Sequence, residues 1–179
     1  MPGARSAEGT QFSRLQNLYG TKMSRAFVKE QDVESFEELP DRHISELPND
    51  VTQEGMAQID AALAAAQTAY AGAQAANDRA AMAAASRDLR YWNTRRGTAR
   101  IVLNSTDTTQ VRFGSSVTIL RDDGRRQTFR IVGEDEANPS RGTISHVSPL
   151  ARALFGKSIG DRVKAGDGEA EIRNIQVLG

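Results

Sequence analysis

The stretch 52–103 constrains the fold of this chain more than any other. It carries 17 alanines and no proline, and alanine is the strongest helix former while proline is the strongest breaker. Met56, Ile59, Leu63, Ala66, Tyr70 and Ala73 recur at a 3-4-3-4-3 spacing. Met82, Ala85, Leu89, Trp92, Arg96, Ala99 and Leu103 repeat it, interrupted by Arg96. That period places each set on one helix face. A single helix of this length would run about 78 Å with nothing to cover its seam. Folding back buries both stripes, so the spacing predicts an antiparallel helical hairpin with arms of about 25 residues, or about 38 Å each. Asp50 or Thr52 is placed to cap the start, and Asn77-Asp78, a polar pair between the stripes, is the expected turn. Alanine contributes little apolar area, so the hairpin is expected to depend on its neighbours for stability.

After residue 103 the period changes. Val111, Phe113, Ser115, Val117 and Ile119 alternate, and Asp122-Asp123-Gly124 supplies a turn. Phe129, Ile131 and Val132 mark a second strand ended by Gly133, and Thr143 to Val147 a third. Pro149 opens a short helix through about Phe155. A strand around Val163, a Gly166-Asp167-Gly168 hairpin and a last strand containing Ala170, Ile172, Asn174 and Gln176 complete the module; the register of that last strand is left open. The product is an α+β module: a small antiparallel sheet with one helix on it.

The charge is zero overall, 23 basic against 23 acidic residues, which argues against a wholesale phosphate binder. The zero is a sum of unequal parts. Residues 1–22 hold three basic and one acidic residue; residues 23–51 hold three and eight; residues 52–103 hold six and four; residues 104–179 hold eleven and ten. The expected organisation is therefore a disordered tail or mis-assigned start (1–22), an acidic linker or extension (23–51), a helical hairpin (52–103) and a sheet module (104–179). Cysteine is absent, which excludes disulfides and thiolate chemistry. His43 and His146 are too few for a His-rich metal site. No apolar run approaches a bilayer span and no leader is recognised, so a cytoplasmic protein without a membrane is expected, as a monomer. Aromatics are 6% of the chain, so the core must rely on Ala, Val, Ile and Leu.

Three motifs in order carry a family resemblance: Val111-Arg112-Phe113-Gly114-Ser115-Ser116-Val117-Thr118, then Phe129 through Ala137, then Ser148-Pro149-Leu150-Ala151-Arg152-Ala153-Leu154-Phe155-Gly156-Lys157 followed by Gly160-Asp161. They resemble the C-terminal domain of the bacterial GreA/GreB transcript-cleavage factors, and Thr52-Gln53-Glu54-Gly55 with Leu63 resembles the start of that family's coiled-coil arm. The resemblance implies a helical hairpin followed by an FKBP-like α+β domain. It also implies docking on the secondary channel of RNA polymerase, with RNA and DNA met only inside the transcription complex. Acids at the hairpin tip would help hold a magnesium ion shared with the polymerase active centre, since a hard cation takes oxygen ligands and acidifies its water. No cofactor of the chain's own is implied, and the chain would stimulate the polymerase's cleavage rather than be an enzyme. Here the tip reads Ala75-Ala76-Asn77-Asp78-Arg79-Ala80, one acid beside an arginine, on arms shorter than the usual ones by about two turns, or about 10 Å.

Each candidate residue has a plainer reading beside it. Asp78 is the tip residue for metal-assisted cleavage, or a turn residue bonded to backbone. Arg79, Arg87, Arg90, Arg95 and Arg96 meet nucleic acid or channel walls, with Arg95 and Arg96 beside Tyr91 and Trp92, or they solvate the outer helix face. Trp92 is expected to be core. Ser148, Pro149, Arg152 and Lys157 form the polymerase-docking edge, or serve capping and turn geometry. Glu134, Asp135 and Glu136 are expected to be a solvated loop, and His146 has no catalytic role. A prolyl isomerase would need an aromatic-rich pocket, and Phe113, Phe129 and Phe155 sit mostly at core positions. The alternative function is a non-cleaving regulator that competes with cleavage factors on polymerase, or one that regulates a nucleoside diphosphate kinase.

Overall fold

A computed structural model describes residues 39–103 and 105–177. The expectations for residues 1–22, and for 23–51 as far as residue 38, lie outside them. The hairpin consists of α1 (Gln53–Ala75) and α2 (Arg79–Thr98), arms of about 34 Å and 30 Å at 1.5 Å per residue. Thr52 caps α1, its hydroxyl accepting from the Gly55 amide at 3.0 Å. Ile59, Ala66, Ala73 and Ala85 are buried along the seam, and Met56, Leu63, Tyr70, Met82 and Leu89 are half-buried. The predicted stripe holds along the first arm. On the second it drifts by one residue at its end: Arg96 is exposed, Arg95 is buried, and Leu103 is 74% exposed. Trp92 is half-buried rather than core.

Asp50 does not cap the hairpin. It lies in β1 (Asp50–Val51), which pairs in parallel with β2 (Arg100–Ile101) and closes the base of the hairpin. The Arg100 guanidinium meets Asp50 at 2.6 Å, and the Asn49 side-chain amide donates to the Arg95 carbonyl at 2.7 Å. The end of the acidic stretch, residues 49–51, is therefore part of the hairpin base.

The second module is a five-stranded sheet in the order β5-β4-β3-β7-β6, formed by β3 (Ser115–Arg121), β4 (Arg126–Val132), β5 (Thr143–Ser145), β6 (Arg162–Ala165) and β7 (Gly168–Val177). Every pairing is antiparallel except one. The long connection 133–142 brings the chain back to run parallel to β4, so β5 pairs with it in parallel. The short helix α3 (Pro149–Leu154) covers the sheet. The core is aliphatic, with Val117, Ile119, Ile131, Leu154 and Ile172 fully buried, and Phe129 packed against it from a half-buried position. Phe113 instead sits edge-on to His146, centroids 5.6 Å apart, and Phe155 is 36% exposed. The three phenylalanines are thus dispersed, each in different surroundings.

The last strand carries the register surprise. Thr118 pairs with Asn174 but Ile119 pairs with Ile172, so Arg173 is an extra residue, a bulge. An inserted residue reverses which side chains face inward. Ala170 and Ile172 are buried before it and Ile175 after it, so Asn174 and Gln176 do not continue the inward row.

Candidate functional site

The hairpin tip is built around one residue with positive φ and one cap. Asn77 takes φ 52°, a conformation asparagine tolerates better than most. Asp78 follows as the N-cap of α2, its Oδ1 accepting from the Ala81 amide at 3.0 Å. The turn falls where the sequence places it, and the plain reading of Asp78 is met: this carboxylate satisfies orphan amides at a helix start. Asp78 and Arg79 are exposed. A single carboxylate provides one or two of the six or more oxygen donors a hard divalent cation takes. Among the described residues no group of three or more His, Asp or Glu side chains is placed to hold a metal. The tip therefore does not fit a magnesium site of the chain's own.

The arginines of α2 divide. Arg96 bonds Asp60 of the facing arm at 2.7 Å, Arg90 bonds Asp41 at 2.7 Å, and Arg87 lies 3.6 Å from Asp88. These are surface pairs. Arg95 is different: its side chain is 2% exposed, its Nε donates to Asp135 at 2.5 Å, and its Nη1 lies 3.5 Å from Glu134. The expectation that Arg95 meets nucleic acid or channel walls is corrected, because a buried, paired guanidinium reaches no phosphate. The drift of α2 turns this position, not Arg96, toward the sheet module.

The same contact overturns the solvated loop at Glu134-Asp135-Glu136. Asp135 also accepts from the Tyr91 hydroxyl at 2.5 Å, and burial, together with that neighbouring carboxylate, pushes the Tyr91 phenol up to about 12. Glu136 reaches the first arm. Its Oε1 accepts from the amides of Thr52 at 3.0 Å and Gly133 at 3.2 Å, and its Oε2 from the Thr52 hydroxyl at 2.5 Å. In a capping box the glutamate three residues after the cap satisfies the cap's own amide. Here that position is Gly55, and the glutamate comes from the other module. A Cβ on Gly55 would lie 2.0 Å from Glu136 Oε1, and one on Gly133 would lie 2.8 Å from it and 2.7 Å from the Asp50 carbonyl. Two glycines thus make the socket, and adjacent acids grip the two arms, Asp135 the end of the second and Glu136 the start of the first.

Sequence reasoning missed Asp135, Glu136, Thr52 and Tyr91 as one constellation. A glycine in the first turn of an otherwise alanine-rich helix, where a capping glutamate would be favoured, was the available signal.

The proposed docking edge lies at α3. Ser148 caps it, its hydroxyl accepting from the Ala151 amide at 3.2 Å, with Pro149 in the first turn. Pro149, Arg152 and Lys157 are exposed, beside Phe155 and Ile159, 36% and 56% exposed. Ser148 is half-buried by its capping role.

Residues 106–178 match the family described as transcription elongation factor GreA/GreB, C-terminal; the three motifs at 111–118, 129–137 and 148–157 lie inside that match. Transcription elongation factor GreB of Neisseria meningitidis serogroup B is 47% identical over 72 residues, 39% of this chain and 44% of that protein. Transcription elongation factor GreA of Desulfovibrio desulfuricans is 38% identical over 95 residues, 52% of this chain and 57% of that protein. The chain thus spans about half the length of these curated relatives. Among solved structures, the GreA factor homolog 1 protein of Thermus thermophilus covers 74% of this chain and 100% of its own at 20% identity, with a TM-score of only 0.32. The module formed by residues 106–178 is thus similar to the C-terminal domain of the GreA/GreB factors.

Proposed function

We propose that this chain is a transcription elongation factor of the Gre type that binds RNA polymerase, docking through the α3 edge and extending its hairpin into the secondary channel. The observation that carries the reading is a family-type C-terminal module with a helical hairpin fixed to it at both arms. Pro149, Arg152 and Lys157, with the half-exposed Phe155, offer a mixed apolar and basic edge suited to a protein partner. Arg87, Arg90 and Arg96 remain at the surface of the second arm, where their pairs are weak enough to exchange for channel walls or nucleic acid. The chain acts on the polymerase and has no chemistry of its own; the tip offers Asp78 as one carboxylate, and no step is assigned to a metal through it.

The test uses stalled, backtracked polymerase complexes with the wild type, Asp78→Asn and Asp78→Ala. Asparagine is as good a cap as aspartate, so Asp78→Asn removes the charge and keeps the turn. The expected result is binding by all three, and transcript shortening by the wild type that Asp78→Asn loses. Absence of wild-type binding to polymerase would sink the reading. Binding without shortening would retain the polymerase-binding factor and assign it the non-cleaving, competing role.

A further inference from the structure

Residues 39–48 lie along the second arm just ahead of the strand that closes the hairpin base, and their attachment is unlike the rest of the fold. From Asn49 onward the chain is held by buried side-chain bonds and the β1–β2 pairing. Before it, the ion pairs with α2 are surface ones. Asp41 meets Arg90 at 2.7 Å, with side chains 69% and 47% exposed. Arg42 meets Asp88 at 3.5 Å, 38% and 39% exposed. The Arg42 guanidinium carbon stands 3.6 Å from the Tyr91 ring centroid and 5.1 Å from that of Trp92, and the two rings pack edge to face at 4.9 Å. Leu39 and Leu47 are 37% and 50% exposed and Ile44 is only half-buried, so little apolar burial fixes the segment.

We propose that residues 39–48 are a releasable strap, hinged at Pro48-Asn49, whose Asp41-Arg42 pair covers an aromatic and arginine face of α2. The strap regulates access to the arm surface by which the hairpin would meet polymerase, and in that respect it rests on the function proposed above. The physical argument is a comparison of holds. An exposed ion pair changes a closed-to-open ratio by up to about five-fold, and an exposed cation over an aromatic ring by about the same. Against two ion pairs and the two ring contacts of Arg42 stands the entropy of ordering some ten residues. Such a balance leaves the open form accessible and makes it sensitive to salt. Lifting the strap frees Arg90 and uncovers the rings of Tyr91 and Trp92 without breaking the bond from the Tyr91 hydroxyl to Asp135.

Trp92 is the chain's single tryptophan, so acrylamide quenching of its fluorescence reads the strap directly in the full chain. The wild type is compared with Asp41→Asn, which keeps Arg42 and every α2 side chain, from low salt to about 1 M, where the Debye length is about 3 Å. The expected result is a wild-type quenching constant that rises with salt, and a low-salt constant in Asp41→Asn shifted toward the wild type's high-salt value, as an up to about five-fold change in the closed-to-open ratio requires. Far-UV circular dichroism stays unchanged in both. A wild-type constant independent of salt and equal to that of Asp41→Asn would overturn the strap. This readout needs no polymerase, so a failure of polymerase binding is a separate result bearing only on the proposed function.

Discussion

Gly55→Ala, an exchange that favours most helices, is expected to destabilise this one, and to become neutral or stabilising once Glu136 is gone. The added Cβ would lie 2.0 Å from Glu136 Oε1, 2.1 Å from Cδ and 2.6 Å from Cγ. Those atoms are the end of a flexible side chain, so the clash is relieved by expelling the carboxylate from its socket. Expulsion strands the amides of Thr52, which is 1% exposed, and of Gly133, also buried. A buried donor without a partner costs about 1–3 kcal/mol, so the two together cost about 2–6 kcal/mol. Glu136→Ala should cost the same, because it leaves the same donors unmet. With Glu136 truncated, the three atoms nearest that Cβ are gone and the alanine at position 55 returns up to about 1 kcal/mol of helix propensity. Urea unfolding of the wild type, both single variants and the double variant gives the coupling energy. The double variant should be no less stable than Glu136→Ala alone. Gly133→Ala is the control: its Cβ would also lie 2.7 Å from the Asp50 carbonyl, backbone that truncating Glu136 does not remove, so it should stay destabilising in both backgrounds. Additivity of Gly55→Ala and Glu136→Ala within about 0.5 kcal/mol would refute the socket.

Two further outcomes follow from the other arm's grip. Arg95→Met should cost about 3–5 kcal/mol in urea unfolding, since it leaves Asp135 buried without its cation, whereas Arg96→Met, which breaks the exposed pair with Asp60, should cost about 0–1 kcal/mol; equal costs would contradict the burial of Arg95. The Tyr91 phenol, held neutral up to about pH 12 against an ordinary value of 10.0, contributes stability that is present below pH 10 and lost as pH rises toward 12, because the unfolded chain ionises first. The wild type should therefore lose stability relative to Tyr91→Phe across that interval, and parallel alkaline profiles would show that the hydroxyl does not bind Asp135.

How much of this could be read from the sequence follows from which contacts are local. Periodicity located both arms, the turn at Asn77-Asp78 and the short helix opened by Pro149, because each depends on residues within a few positions of one another. It failed where a distant residue decides. Asp135 and Glu136 follow a strand and a glycine and have the composition of a solvated loop; only their separation of 40 and 84 residues from Arg95 and Thr52 hides that they are anchors. The last strand failed differently. One extra residue, Arg173, reverses the inward row, and nothing in an alternating pattern marks where an insertion falls. The α3 edge stayed legible as a motif and silent as chemistry, since the Ser-Pro pair is accounted for by helix capping alone.

The two grips also bear on how far a hairpin can act from its base. The arms extend about 30–34 Å, so a tilt of only about 10° at the base would carry the tip some 6 Å, as far as one helical turn. A single contact between the modules would leave such a tilt open, because one bond is a pivot. Contacts on both arms, Glu136 to the start of α1 and Asp135 to the end of α2, oppose rotation about either one. They also sit next to each other in the chain, so the loop that follows β4 fixes both at once. The physical consequence is that the tip's placement depends on the acidity of this loop more than on any residue of the tip, and that the arginine most deeply involved, Arg95, acts on the tip from the far end of the arm.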